Sequence, residues 1–268
     1  LGSENENLPA YVAIPDTTPV KTHSATSAGW LPPVYQGTPF HITGSPIHDL
    51  QRPESTSAKE QGQYLELTQM LNRQHQESRP SLADLDARVQ NFELAARMQV
   101  EAIQKVDLST ESVATKKLYG LDNRITEKFG KQCLIARRLL ESGVRFVHLI
   151  RNDWDHHSNL NNLLTKSTQE TDQPVAALVQ DLKRRGLLDD TLVIWAGEFG
   201  RLPVVQGLDG RDHNPFGYTF WMAGGGIRGG TIYGATDEFG YRTVENPVTV
   251  ADFHATVLHL LGLDHRRV

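Results

Sequence analysis

The spacing of apolar residues divides the chain into three segments. Residues 1–58 hold eight of the thirteen prolines and one short strand pattern, Ala10 to Ile14, so we expect an irregular arm there. In residues 59–143 the apolar positions recur every three or four residues, which predicts helices. Residues 144–268 alternate strand and helix patterns and form the predicted α/β core of one domain.

Three apolar strands stand out in the last segment: VRFVHLI at 144–150, TLVIWA at 191–196 and YTFWMA at 218–223. A helix between the first two should carry Pro174 in its first turn and end at Gly186. Before the first strand, we expect Gly143 to close a helix in a left-handed conformation. The strand–helix–strand order predicts an α/β fold with a mixed, mostly parallel sheet and helices on both faces.

A polar cluster follows each of the first two strands, and another precedes the third. They are DWDHH at 153–157, GEFGR at 197–201 and RDHN at 211–214. Because the carboxyl ends of parallel strands meet at one sheet edge, we expect Asp155, His157 and Glu198 to lie close together.

Carboxylates and imidazoles together are typical ligands of a divalent metal, with zinc, calcium, magnesium and manganese as candidates. Such an ion polarises a phosphoryl or sulfuryl group or lowers the pKa of a bound water. Arginines beside it would pair with an oxyanion. The predicted metal ligands are Asp155, His157, Glu198 and His213, and the predicted catalytic arginines are Arg201 and Arg211.

Each cluster also fits a structural role. An aspartate of DWDHH would cap the following helix, Glu198 would pair with Arg201, and His213 would be a hydrogen-bonded histidine. Only the combination of all three clusters favours a metal site over these alternatives.

Composition narrows the possible functions. The 268 residues include 27 basic and 32 acidic side chains, a net charge of −5, which gives no basic footprint for nucleic acid. No apolar run approaches the roughly 20 residues that a membrane span needs. The single cysteine, Cys133, excludes an internal disulfide and a multi-cysteine zinc site, and we expect it in the core.

Several motifs carry a resemblance to a known family. They are LGSENENLPAYVAI, WDHH, GEFGR, GRDH, ATDEFGYR and DFHATVLHLLG, and together they extend over nearly the whole chain. In these stretches the sequence resembles the bacterial domain of unknown function family 1501, which is often described as sulfatase-like and grouped with the alkaline phosphatase superfamily.

The resemblance implies an alkaline phosphatase-like fold, an exported or periplasmic location and the metal ligands named above. In that superfamily an Asp-His ligand pair follows a strand similar to TLVIW, so Glu198 inherits one ligand and Phe199 replaces the other. The family's nucleophile motif, GGPSHxDxFDxKP, is absent here, which implies that the N-terminal part of the fold is missing and that this chain alone does not turn over esters.

From these observations we expect a metal-dependent hydrolase of small-molecule or glycan sulfate or phosphate esters in the intact protein. The alternative is a non-catalytic binding or scaffold protein with a decayed site. Loss of the histidine after Glu198 favours decay, whereas retention of Asp155, His157 and His213 favours chemistry.

Overall fold

The computed structural model describes residues 4–16, 26–42, 47, 50–79 and 82–267. The chain divides into two compact units, Leu1–Asn152 and Asp153–Val268. Both units combine helices with strands, so the predicted α/β class is confirmed.

The first unit contains a small parallel sheet in the order β2-β1-β3. Its strands are β1 (Tyr11–Pro15), β2 (Thr38–Pro39) and β3 (Phe146–Ile150). The described residues between β2 and β3, where the periodicity of 59–143 predicted helices, contain four: α1 (Ala58–Glu77), α2 (Ala83–Val106), α3 (Val113–Leu118) and α4 (Glu127–Glu141).

Strand β1 is the centre of this unit because it pairs on both sides. Its residues Val12, Ala13 and Ile14 are fully buried, which explains why the strand is apolar on both faces. Helices α2 and α4 add their apolar faces to the same core. The buried members of the core are Leu8, Val12, Ile14, Phe40, Leu50, Met98, Ala102, Ile135, Ala136, Leu139 and Val144.

The turn from α4 into β3 follows the prediction made for Gly143. This residue has a φ of +85°, a left-handed conformation that glycine adopts without steric cost. The backbone N–H of Val144 donates to the carbonyl of Leu139, and the chain then enters β3.

The second unit is built from the long helix α5 (Leu160–Arg184), short strand pairs and a last helix. Strand β4 (Val193–Trp195) pairs antiparallel with β7 (Trp221–Ala223), and β5 (Gly200–Arg201) pairs antiparallel with β6 (His213–Asn214). Strands β8 (Ala235–Thr236) and β9 (Thr243–Glu245) form a third pair. Helix α6 (Val250–Leu260) begins with a capping box between Thr249 and Asp252.

Two local expectations were wrong. Strands β3 and β4 do not share a sheet, because β1 is the hydrogen-bonded partner of β3 and β7 is that of β4. Pro174 lies inside α5 and not in its first turn. One buried face runs through Ser167, Thr171, Pro174 and Leu178, so packing along this face outweighs the hydrogen bond that a proline cannot donate.

Within the described residues, no helix combines the length and the apolar character needed to cross a membrane.

The position of Cys133 gives a testable prediction. The residue is fully buried on α4, and burial raises the pKa of its thiol because the thiolate would lose its hydration. We expect a thiol reagent to label the native protein at least about 100-fold more slowly than the guanidinium-unfolded protein, which should take up one equivalent. Equal labelling rates, measured by absorbance, would show that α4 does not pack against the core as described.

Candidate metal centre

Three potential metal-binding atoms meet in the second unit. Asp155 Oδ1 lies 2.9 Å from Nε2 of His157 and 2.9 Å from Nε2 of His213, and the two ring nitrogens are 3.0 Å apart. The side chains are 60%, 39% and 41% exposed, respectively, so the cluster lies at the surface.

Two loops and a strand pair bring these atoms together. Asp155 and His157 lie in the segment before α5, where Asp153 and Asn159 adopt positive φ angles of 67° and 51°. His213 lies on β6, directly opposite Arg201 of β5. Directly opposed residues of an antiparallel pair point to the same face, which places the guanidinium beside the imidazole.

Gly210 fixes the distance between the two loops. A Cβ atom at this position would lie 1.8 Å from the carbonyl oxygen of His157, so only glycine fits. On either side of the contact, the N–H of Arg211 donates to the carbonyl of His156, and the N–H of Asn159 donates to the carboxylate of Asp209. The glycine of the GRDH motif is therefore required for this loop packing.

Gln206 orients the ring of His157. Its Oε1 lies 2.7 Å from Nδ1 of His157, and because an amide oxygen only accepts, this contact is a hydrogen bond in the tautomer that carries a proton on Nδ1. Neutral His157 then presents a lone pair at Nε2 toward the cluster. Sequence analysis missed this glutamine because nothing in the local pattern distinguishes it from any other loop residue.

The electrostatics of the cluster centre on Asp155. A hydrogen bond from His213, and next the guanidinium of Arg201, lower the pKa of this carboxyl to about 2. Nη1 of Arg201 lies 2.7 Å from Oδ1, but it is buried and lacks hydrogen-bond geometry, so the contact is an ion pair. Asp155 is therefore ionised at neutral pH.

Two of the three contacts have hydrogen-bond geometry, and the spacing of the three atoms also suits ligands of one shared cation. With the proton of His157 on Nδ1, its Nε2 lone pair faces a carboxylate oxygen, and that contact has no proton to share. Ligands about 2.0–2.1 Å from one cation are about 2.9 Å apart at octahedral angles and about 3.4 Å apart at the tetrahedral angles typical of zinc, so the spacing of 2.9–3.0 Å is closer to the octahedral value. Two imidazoles and one carboxylate are also a donor set that zinc, manganese and iron accept.

The other predicted site residues lie around this group. Glu198 is exposed and does not belong to it. Phe199 packs its ring against His213, with the ring centroids 4.1 Å apart, and Arg201 lies 5.6 Å from the centre of the same ring. Arg211 donates from Nη1 to the carbonyl of Gly210. His156 is buried, and its Nε2 contacts the carbonyl of Asp153, so it points away from the cluster.

An apolar groove of about 500 Å³ lies elsewhere in the second unit. It runs between α5 and the strand pair β4 and β7, and Val175, Val179, Trp195 and Trp221 are among the residues that line it. None of the three cluster residues lines this groove, and their exposure places the candidate centre at the surface.

Comparison with known protein families gives a match over the whole chain. The model of a family described as a protein of unknown function (DUF1501) matches residues 1–268. Neither the curated proteins nor the solved structures contain a match.

The contact at Gly210 generates a prediction. Replacing Gly210 by alanine forces the two loops apart, so we expect the free energy of unfolding to fall by about 1–3 kcal/mol, as in other overpacked sites. The matched control is Gly229→Ala, where no atom lies within 4 Å of the added Cβ, and its change should stay within about 0.5 kcal/mol. Urea unfolding followed by circular dichroism measures both. Equal stability of the two variants would contradict the close approach.

Proposed function

The chain belongs to the DUF1501 family over its whole length, and from that premise we propose that Asp155, His157 and His213 hold one divalent metal ion used in the hydrolysis of sulfate or phosphate esters. The observation that carries the proposal is the triangle of three ligand atoms 2.9–3.0 Å apart. The implied kinship with sulfatases and alkaline phosphatases is part of the same proposal.

The donor set favours a metal of the zinc and manganese class. Calcium and magnesium take mainly oxygen ligands, whereas two of the three donors here are imidazole nitrogens. Because Glu198 lies outside the group, the site offers one carboxylate instead of the two that the sequence predicted. This difference shifts the preference away from calcium and magnesium.

The surroundings of the cluster suit an anionic ester. A divalent ion bound here would polarise an ester oxygen and lower the pKa of a bound water. Arg201 adds a positive charge next to Asp155, and we expect the N–H groups that do not face Asp155 to pair with phosphate or sulfate oxygens. The exposure of the three ligand side chains leaves the ion accessible to a substrate from solvent.

A non-catalytic metal-binding or scaffold role is the second candidate. The same exposure favours it, because an open site lacks the water-excluded surroundings in which electrostatic catalysis is strongest. Metal binding is common to both candidates, and ester turnover separates them.

The first test of this proposal measures metal binding. We expect the chain to bind one equivalent of zinc. Asp155→Asn or His213→Ala should weaken zinc binding by more than about 100-fold, because each removes a ligand. Replacing a residue that only contacts a ligand typically weakens metal binding by about 10–100-fold. The matched control is His259→Gln, an exposed histidine of α6 outside the cluster, which should leave the affinity within about threefold. Titration against a chromogenic chelator provides the values.

In the same titration, Glu198→Gln tests whether Glu198 is a fourth metal ligand. We expect it to resemble the His259→Gln control, because Glu198 lies outside the ligand group. A loss as large as that of Asp155→Asn would make Glu198 a fourth ligand. No zinc binding by the unmodified chain would overturn the proposal.

The second test measures turnover of 4-nitrophenyl phosphate and 4-nitrophenyl sulfate. It uses the complete gene product. We expect hydrolysis of one ester to be abolished by a chelator, restored by zinc or manganese, and lowered at least about 100-fold by Asp155→Asn because the metal is lost. Tight metal binding without turnover of any ester in a broader panel would favour the scaffold role.

A further inference from the structure

We propose that Gln206 is a positioning residue for this metal centre, which sets the tautomer of His157 so that Nε2 is ready to bind the ion. The inference rests on the proposed metal site, but it concerns a residue that takes no part in the ligand triangle. Metal-bound histidines commonly donate their second ring N–H to such an acceptor, which fixes the ring and raises its basicity.

The hydrogen-bond chemistry supports one tautomer. Gln206 Oε1 and His157 Nδ1 are 2.7 Å apart, a short and favourable distance for an N–H donor and an amide oxygen. With the amide oxygen facing Nδ1, the opposite tautomer would place two lone pairs face to face at this distance, and it would require the amide to turn over and donate from its NH2 group. It would also place a proton on Nε2, where the ion is expected, so the glutamine disfavours the form that cannot bind metal.

The backbone of Gln206 is fixed independently of its side chain. Its N–H donates to the carbonyl of Gly210, and the N–H of Gly210 donates to its carbonyl, both at 2.9 Å. Gly210 in turn lies against the carbonyl of His157. The two segments that carry the amide and the imidazole are therefore held against each other, so both side chains start from fixed backbone positions.

Asp212 is the competing acceptor, and its geometry is poorer. Its Oδ1 lies 4.0 Å from Nδ1 of His157, beyond hydrogen-bond distance, and the same oxygen accepts the backbone N–H of His213 at 2.8 Å. Asp212 thus accepts a backbone hydrogen bond at the first residue of β6, and Gln206 is the better placed acceptor for Nδ1 of His157. A neutral amide performs this task without adding a second negative charge beside Asp155.

The experiment combines two measurements on the full 268-residue chain. Histidine ¹⁵N NMR without metal reports the tautomer of His157, and a zinc titration reports affinity. In the unmodified chain we expect the proton on Nδ1. Gln206→Met keeps the length of the side chain but removes the acceptor, so we expect the Nδ1 preference to be lost and zinc affinity to fall about 10–100-fold.

Two further variants separate positioning from a structural role. Gln206→Glu retains an acceptor oxygen, and we expect it to keep the Nδ1 tautomer and bind zinc at least as tightly as the unmodified chain. Gln169→Met, at an exposed position of α5, is the matched control and should change neither measurement. Rescue by glutamate but not by methionine identifies the acceptor oxygen as the important feature.

The outcomes distinguish this inference from the proposed function. If the unmodified chain binds no zinc, the metal site is wrong, and the NMR result still reports what Gln206 does to the ring. If zinc binds but His157 carries its proton on Nε2, or Gln206→Met binds zinc as tightly with an unchanged tautomer, the positioning role is overturned. The tautomer of the unmodified chain decides the matter even if Gln206→Met does not fold.

Discussion

The close approach of Gly210 to the carbonyl of His157 is the constraint on which the candidate centre depends. A side chain at position 210 would collide with that carbonyl, so the loop before β6 can lie against the segment before α5 only through a glycine. This contact places Gln206 beside one nitrogen of His157 and brings His213 to the other. The ligands come from two loops, but backbone hydrogen bonds on both sides of the glycine make the arrangement a rigid one.

A comparison of two aspartates shows why Asp155 is a candidate ligand. In the first unit, Asp16 is buried, and its two oxygens accept hydrogen bonds from Arg151 and from the backbone and side chain of Asn152. Its charge is satisfied by donors, so its role is structural. Oδ1 of Asp155 also pairs with an arginine, Arg201, but it faces two ring nitrogens as well, and only the contact with His213 has hydrogen-bond geometry. A carboxylate oxygen that faces the lone pair of a histidine nitrogen, and not only N–H donors, is suited to bind a cation together with that nitrogen.

The route by which the site is assembled differs from the one that the sequence suggested. The strand pattern predicted a shared edge of parallel strands, yet β3 and β4 belong to different sheets. His213 reaches Asp155 through the antiparallel pair of β5 and β6, which residue types alone do not reveal. The same pairing places Arg201 beside the carboxylate, while Glu198 stays outside the ligand group. Three of the four predicted ligands do meet, but the argument from a shared sheet edge was the wrong reason for expecting it.

The sequence pattern by itself determined the strand β1, the helices between residues 58 and 141 and the left-handed turn at Gly143. The spacing of apolar residues shows which face of an element is buried, and a glycine after a helix shows where a positive φ is allowed. The sequence pattern also determined that ionisable side chains gather in the loops of residues 153–214. Tertiary structure decided which of them meet. Adjacent histidines have nearly identical sequence surroundings, yet the backbone turns His156 into the interior and His157 toward the cluster. Gln206 likewise gains its role only from the packing of two loops, since contacts between distant segments depend on the path of the backbone and leave no periodic trace in the sequence.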